Sequence, residues 1–186
     1  MAMPLATRRF TVDEYHRMVD AGILQEDDRV ELLDGQIVEM SPIYPPHASC
    51  VNRLTRLLSQ ALGDRATLAV QNPVVLGLHW EPQPDVAVLK PRVDGYARQH
   101  PQPADVLLVI EVAESSLERD RDEKIPAYAR AGVAEAWLVN LGARVIVLYQ
   151  DPGPEGYRRV RTAVRGETVT PLELPGVTLR VDEILS

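Results

Sequence analysis

Short apolar runs along the chain alternate with polar breaks rich in proline or glycine, and the spacing within each run predicts an element. Thr11-Val12-Asp13-Glu14 has the form of a capping box, with Thr11 at the N-cap and Glu14 at N3. In that motif each side chain satisfies a backbone N–H left free at a helix start. The helix is expected to run to about Ala21, to stop at Gly22, and to bury Tyr15, Met18 and Val19. Residues 29–40 read as a hairpin: Val30-Glu31-Leu32-Leu33, the turn pair Asp34-Gly35, then Gln36-Ile37-Val38-Glu39-Met40. A proline-rich loop follows over residues 41–46. Val51, Leu54, Leu57, Leu58 and Leu62 then fall at helical spacing, which predicts a helix over residues 47–62 ending at Gly63.

Strands are expected at residues 67–71, 74–78 and 85–89, and residues 90–104 read as a surface excursion. The run 106–113 is apolar nearly throughout, as in a central strand covered on both faces, yet it carries Glu111 in its interior. Residues 120–131 read as a helix stopped by Gly132; because Pro126 belongs in a first turn, the helix proper should begin near Ile125. Further strands are expected at residues 135–140, 145–150, 157–164 and 177–181, with turns at Gly142-Ala143 and residues 152–156. This order implies an α/β or α+β chain with one mixed central sheet flanked by helices, with additional hairpins. No internal repeat, low-complexity tract or linker divides it, so residues 1–186 read as a single domain.

Composition narrows the partners. No apolar run is long enough to span a bilayer, and residues 1–11 lack the apolar core of a secretory signal. Cys50 is the sole cysteine, which excludes an intrachain disulfide and a thiol-rich metal site; a reduced cytoplasmic protein is the plain expectation. The formal net charge of −7 argues against tight non-specific DNA binding, although a local basic stripe would escape that argument. Only Lys90 and Lys124 are lysines, so a lysine close to carboxylates stands out.

Asp85, Glu111 and Lys124 are the candidates for chemistry. A charge inside a buried strand costs several kcal/mol unless a cation or hydrogen bonds compensate it, and a divalent metal is one such compensation. Phosphodiester hydrolysis needs a polarised phosphoryl oxygen, an activated water and a stabilised leaving oxygen, all of which Mg²⁺ supplies. Mg²⁺ takes oxygen ligands and keeps several waters, so a few carboxylates suffice. Asp85 and Glu111 on neighbouring strands would face one ion, and Glu31 would join through water or hold a second. Lys124 would orient the attacking water or stabilise developing charge.

Each residue alone also has a plainer reading. Asp85 fits a strand start, Glu111 an exposed strand end, Lys124 a solvated helix end, Glu31 a water-facing position opposite Gln36, and His47 a helix start. Gln71 is a weak addition, Tyr128 fits packing, and Trp80 and Trp137 fit a core or interface. Arg119-Asp120-Arg121 and Arg158-Arg159 with Arg161 offer phosphate contacts, though solvated faces are the plainer reading.

A resemblance covers residues 10–185. Its landmarks are Arg29-Val30-Glu31-Leu32-Leu33-Asp34-Gly35, Met40-Ser41-Pro42 with His47, Pro84-Asp85-Val86, Val109-Ile110-Glu111-Val112, Lys124 with Tyr128, Ala131-Gly132-Val133, and Glu135-Ala136-Trp137-Leu138-Val139. In order and spacing these resemble the Uma-type restriction-endonuclease-like family, formerly a domain of unknown function, of the PD-(D/E)XK nuclease superfamily. The resemblance implies a restriction-endonuclease-like fold, Asp85 as the metal-binding aspartate and Glu111 as the acidic residue of the second half-motif. It further implies Glu31 as the upstream acidic residue and a family histidine at His47. The usual lysine position, two residues after Glu111, is Ala113 here, and the family lysine is displaced to Lys124. An ammonium is needed at a point in space, so such migration is chemically reasonable.

The expectation is therefore a metal-dependent endonuclease hydrolysing DNA, with Mg²⁺ or Mn²⁺ and no organic cofactor. Catalytic residues would be Glu31, His47, Asp85, Glu111 and Lys124, and metal ligands Asp85, Glu111 and Glu31. A compact site cuts one strand, so double-strand cutting would favour a homodimer. The alternative is a catalytically silent nuclease-fold module that binds DNA or a partner. The chain has no G-x-S-x-G, P-loop or G-x-G-x-x-G motif to support a serine hydrolase or a nucleotide binder.

Overall fold

The structure, a computed structural model, describes residues 7–25 and 27–186; of the segment 1–11 read above for leader character, residues 1–6 lie outside the described residues. Helix α1 (Val12–Asp20) opens on the expected capping box: Thr11 Oγ1 accepts the Glu14 N–H at 3.1 Å, and Glu14 Oε2 accepts the Thr11 N–H at 3.0 Å. It packs Val12 and Tyr15 against Leu32, whereas Val19, expected on the same face, is exposed. The small hairpin beneath covers only the start of the helix. That hairpin is β1 (Val30–Leu33) and β2 (Gln36–Glu39), joined at Asp34 and Gly35 with φ of 50° and 75°. Two positive φ values are the signature of a tight turn matched to strand twist. A Cβ on Gly35 would stand 2.6 Å from Arg9 Cβ, so glycine is required there on two counts. Side chains alternate along a strand: Leu32 faces α1, so Glu31 is delivered to the other side.

Helix α2 (Pro45–Leu62) starts two residues earlier than expected, because proline is tolerated in a first turn; His47 therefore lies inside that turn. The central sheet comprises β3 (Thr67–Val70), β4 (Val86–Leu89), β5 (Val106–Ala113), β6 (Glu135–Asn140), β7 (Val145–Gly153) and β8 (Gly156–Ala163), side by side in that order. Only β5 and β6 are parallel. A small pair, β9 (Thr168–Val169) and β10 (Leu179–Arg180), precedes the terminal turn α5 (Val181–Ile184). The last strand is thus shorter than the expected 177–181.

Residues 74–78 are not a strand, contrary to expectation. Pro73, Pro82 and Pro84 remove ladder donors around this segment. Its backbone bonds go instead to a loop network, Val74 N–H to Pro82 O, Val75 N–H to Pro101 O and Leu76 N–H to Trp80 O. Glu81 then pairs with Leu32, which ties the hairpin to the body of the protein.

Strand β5 is buried along its whole length. On one face Leu108, Ile110 and Val112 join Leu54, Leu58 and Leu62 of α2 and Val181 and Ile184 of the C-terminal segment. On the other, Val109 joins Ala87, Leu89, Ile125, Tyr128 and Val133. A parallel pair needs a crossover, and the one from β5 to β6 runs through α3 (Leu117–Arg119), a π turn (Asp120–Lys124) and α4 (Ile125–Arg130). Helical backbone therefore begins well before Ile125, and Pro126 lies inside it. The π turn accommodates this: Ile125 N–H reaches back five residues to Asp120 O, just ahead of the residue with no N–H to give. Among the described residues no helix is long and apolar enough to cross a membrane.

Candidate functional site

Glu111 lies two residues after Val109 and shares its face of β5. Its side chain therefore leaves the strand toward the crossover rather than into the α2 core. Tyr128 of α4 donates its hydroxyl to Glu111 Oε1 at 2.6 Å, and Lys124 Nζ lies 2.9 Å from the same oxygen. Tyr128 does pack, as expected, but it also holds the carboxylate. Lys124 Nζ is in addition 3.3 Å from Glu31 Oε2, which accepts the Gln83 N–H at 3.0 Å. Lys124 is only 4 % exposed, so the solvated-helix-end reading does not describe it. Lys90, by contrast, is exposed.

Asp85 immediately precedes β4, which pairs antiparallel with β5 through Val86 and Ile110. That register sets Asp85 beside Glu111 and Val112. Asp85 Oδ2 accepts the Val112 N–H at 2.8 Å and faces His47 Nε2 at 3.1 Å; Oδ1 accepts Gln71 Nε2 at 3.2 Å. Gln71 adopts φ of 52°, a conformation rare for a side-chain-bearing residue, and its own N–H bonds to Asp85 O. Backbone strain of this kind is typically stored beside functional groups. His47 Nδ1 is buried with no hydrogen-bond partner among the described residues.

Glu31, His47, Gln71, Asp85, Glu111 and Lys124 line one cleft. Asp120, also in that lining, is a residue the sequence reading missed by placing it on a solvated Arg-Asp-Arg face. It is buried, and its Oδ2 accepts Ser116 Oγ at 2.6 Å. Its spacing of four residues before Lys124 was the available signal, since residues i and i+4 share a helix face. Arg119 also lines the cleft and donates to Glu39 O, while Arg158, Arg159 and Arg161 are exposed as expected.

The charge balance of the cleft explains its titration. Four buried carboxylates, Glu31, Asp85, Glu111 and Asp120, face one ammonium. Burial pushes Glu111 up to about 8; Lys124 pulls against this, while Asp120 and Asp85 add to it. Burial works against the Lys124 ammonium, but Glu111, Glu31 and Asp120 outweigh it and hold the proton on the amine. Burial likewise opposes the Asp85 carboxylate, and His47, the Val112 N–H and Lys124 together bring it below its usual value. The hydrogen bond that His47 gives to Asp85 raises the imidazole against the opposing effect of burial. Asp120 is raised by burial, with Lys124 and Ser116 opposing.

A divalent cation fits this donor set. The groups are hard oxygens, as Mg²⁺ and Mn²⁺ prefer, and they carry more negative charge than Lys124 alone offsets. The lysine stands between two of the carboxylates, however. Among the described residues the one group of three whose ligand atoms all lie within 4.8 Å of each other is elsewhere: His16, Glu81 and His100. That cluster is suited to a divalent ion and was not anticipated, because its members come from three distant segments.

Comparison with known proteins places the chain. A model of the Uma2 family, described as "Putative restriction endonuclease", matches residues 12–182. No curated protein matches. Among solved structures, a "putative nuclease belonging to DUF820" from Anabaena variabilis superposes with a TM-score of 0.76 at 16 % identity, covering 95 % of this chain and 97 % of that one. At that identity the likeness speaks for the fold, a mixed, mostly antiparallel sheet flanked by helices with extra hairpins. With the family model spanning nearly the whole chain and this fold beneath it, the protein belongs to the Uma2 family and has the PD-(D/E)XK-like nuclease fold.

Proposed function

We propose that the chain is a metal-dependent endonuclease that hydrolyses DNA, acting as one domain. The observation that carries this reading is Lys124: an ammonium buried between Glu31 and Glu111, in the cleft that also holds Asp85. Asp85 and Glu111 would hold Mg²⁺ or Mn²⁺, and Glu31, already engaged by Lys124, would contribute its charge beside them. The bound ion would polarise the phosphoryl oxygen and lower the pKa of water. Lys124 orients the attacking water and stabilises negative charge that develops on the phosphate. His47 and Gln71 hold Asp85 on both its oxygens, so that its carboxylate is fixed before the ion arrives. Tyr128 does the same for Glu111. In the PD-(D/E)XK pattern the lysine follows the second acidic residue by two positions; here the crossover returns Lys124 over β5 and supplies that charge in place of Ala113.

The net charge of −7 favours a second reading, a silent module that binds DNA or a partner without cutting. Supercoiled plasmid incubated with Mg²⁺, Mn²⁺ or EDTA separates the two. The nuclease reading expects nicking that requires the metal and is lost in Asp85→Asn. Intact plasmid and intact linear, single-stranded and branched DNA under every metal condition would refute it. Nicking alone would indicate one site acting per strand; linearisation would favour a homodimer.

A further inference from the structure

We propose that His16, Glu81 and His100 form a separate binding site for a zinc-like divalent cation. His16 projects from α1, Glu81 belongs to the segment that pairs with Leu32, and His100 comes from the loop between β4 and β5. None of the three lines the acidic cleft. His16 Nε2 and Glu81 Oε2 are 2.7 Å apart, the two imidazole rings meet edge-on with centroids 5.9 Å apart, and one ligand atom from each residue falls within 4.8 Å of the others. Ligand atoms around a tetrahedral zinc at ~2.0–2.1 Å stand roughly 3.3 Å from each other. The observed spacing, from 2.7 Å between His16 and Glu81 to at most 4.8 Å within the group, brackets that distance.

The donor set selects the ion. Two imidazoles and one carboxylate suit zinc and its borderline-soft neighbours and suit Mg²⁺ poorly, so the two sites of this protein would sort different metals. Glu81 supplies the second reason for a cation. Its carboxylate is only 3 % exposed, and among the described residues its one side-chain hydrogen bond is to His16. Such a group ordinarily has a cationic partner. Asp13 and Asp20 flank His16 in the clefts on either side and add negative potential. Three protein ligands leave a position for water, and the exposure of His100 gives the ion a way in. Occupied, the site would clamp α1 and the His100 loop onto the segment that reaches Gln83, whose N–H holds Glu31.

Zinc binding to the full chain, stripped with EDTA and titrated against a chromogenic chelator, tests this. Wild type and Asp85→Asn should bind one equivalent equally well, and excess Mg²⁺ should not displace it. His100→Ala alters an exposed side chain and should fold normally, yet bind at least about tenfold more weakly, since even groups one step removed from a metal contribute that much. His16→Ala should behave likewise. Zinc should also raise the melting temperature of wild type and not of His100→Ala. The site is refuted if wild type takes up no zinc, if His100→Ala binds as wild type does, or if Asp85→Asn abolishes binding, which would put the zinc in the acidic cleft.

Discussion

Replacing Lys124 with methionine keeps the length of the side chain and removes its charge. Nζ lies 2.9 Å from Glu111 and 3.3 Å from Glu31, with all three groups buried. Removing one partner from such a group costs about 3–5 kcal/mol when the remaining charge stays. The charge need not stay: burial already raises Glu111 to about 8, so below that pH the carboxyl takes a proton instead. The sign follows from linkage. A carboxyl raised above its unfolded value contributes stability that is fully present below about 4.5 and is lost as pH rises through the folded pKa. Without the ammonium, Glu111 rises further, so the penalty of the substitution grows with pH. At pH 5.5 the loss should be about 1 kcal/mol, the scale of a hydrogen bond. Because wild-type Glu111 itself titrates only near 8, the gap opens late: at pH 8.5 it should reach about 2 kcal/mol, or roughly 4–8 °C in melting temperature for a chain of this size. Thermal melts in EDTA at the two pH values measure this directly. Plasmid nicking by the same variant should fall by about 10²–10⁴, while Mn²⁺ affinity stays level or tightens because a competing cation is gone. Equal melting losses at both pH values, together with unchanged nicking, would show that Lys124 is neither the buried counter-ion nor part of the chemistry.

Asp85→Asn should abolish Mn²⁺ binding in the acidic cleft by calorimetry, and a wild-type isotherm from this variant would remove Asp85 from the ligand set. Metal binding should release protons below pH 8, because Glu111 must ionise to become a ligand, with the released fraction falling toward zero above about 8. Titrations in buffers of different ionisation enthalpy read that number, and heats independent of buffer at pH 6.5 would contradict it. Gly35→Ala should destabilise by more than about 1 kcal/mol in urea, since a side chain there meets Arg9 and the turn needs positive φ; a midpoint equal to wild type would show that the N-terminal segment yields freely.

What the sequence determines by itself is local. The capping box before α1, the Asp34-Gly35 turn and the apolar run of β5 each rest on contacts within a few residues, and each was legible for that reason. The family landmarks were legible too, because Glu31, Asp85, Glu111 and Lys124 keep their order along the chain. The tertiary structure alone decides which of these groups meet. Residues 74–78 have strand-like composition, yet the prolines around them and the competing partners Pro82, Pro101 and Trp80 draw their hydrogen bonds into a loop network. Asp120 reaches the cleft at the start of a π turn and Tyr128 reaches Glu111 from the helix that follows it, a placement that cannot be read from helical periodicity. His16, Glu81 and His100 converge only after α1 has packed on the hairpin and the hairpin has paired with Glu81. Local pattern encodes the elements because their energies are set by near neighbours; the clustering of charges is set by the packing of distant segments, and it exists only in the folded chain.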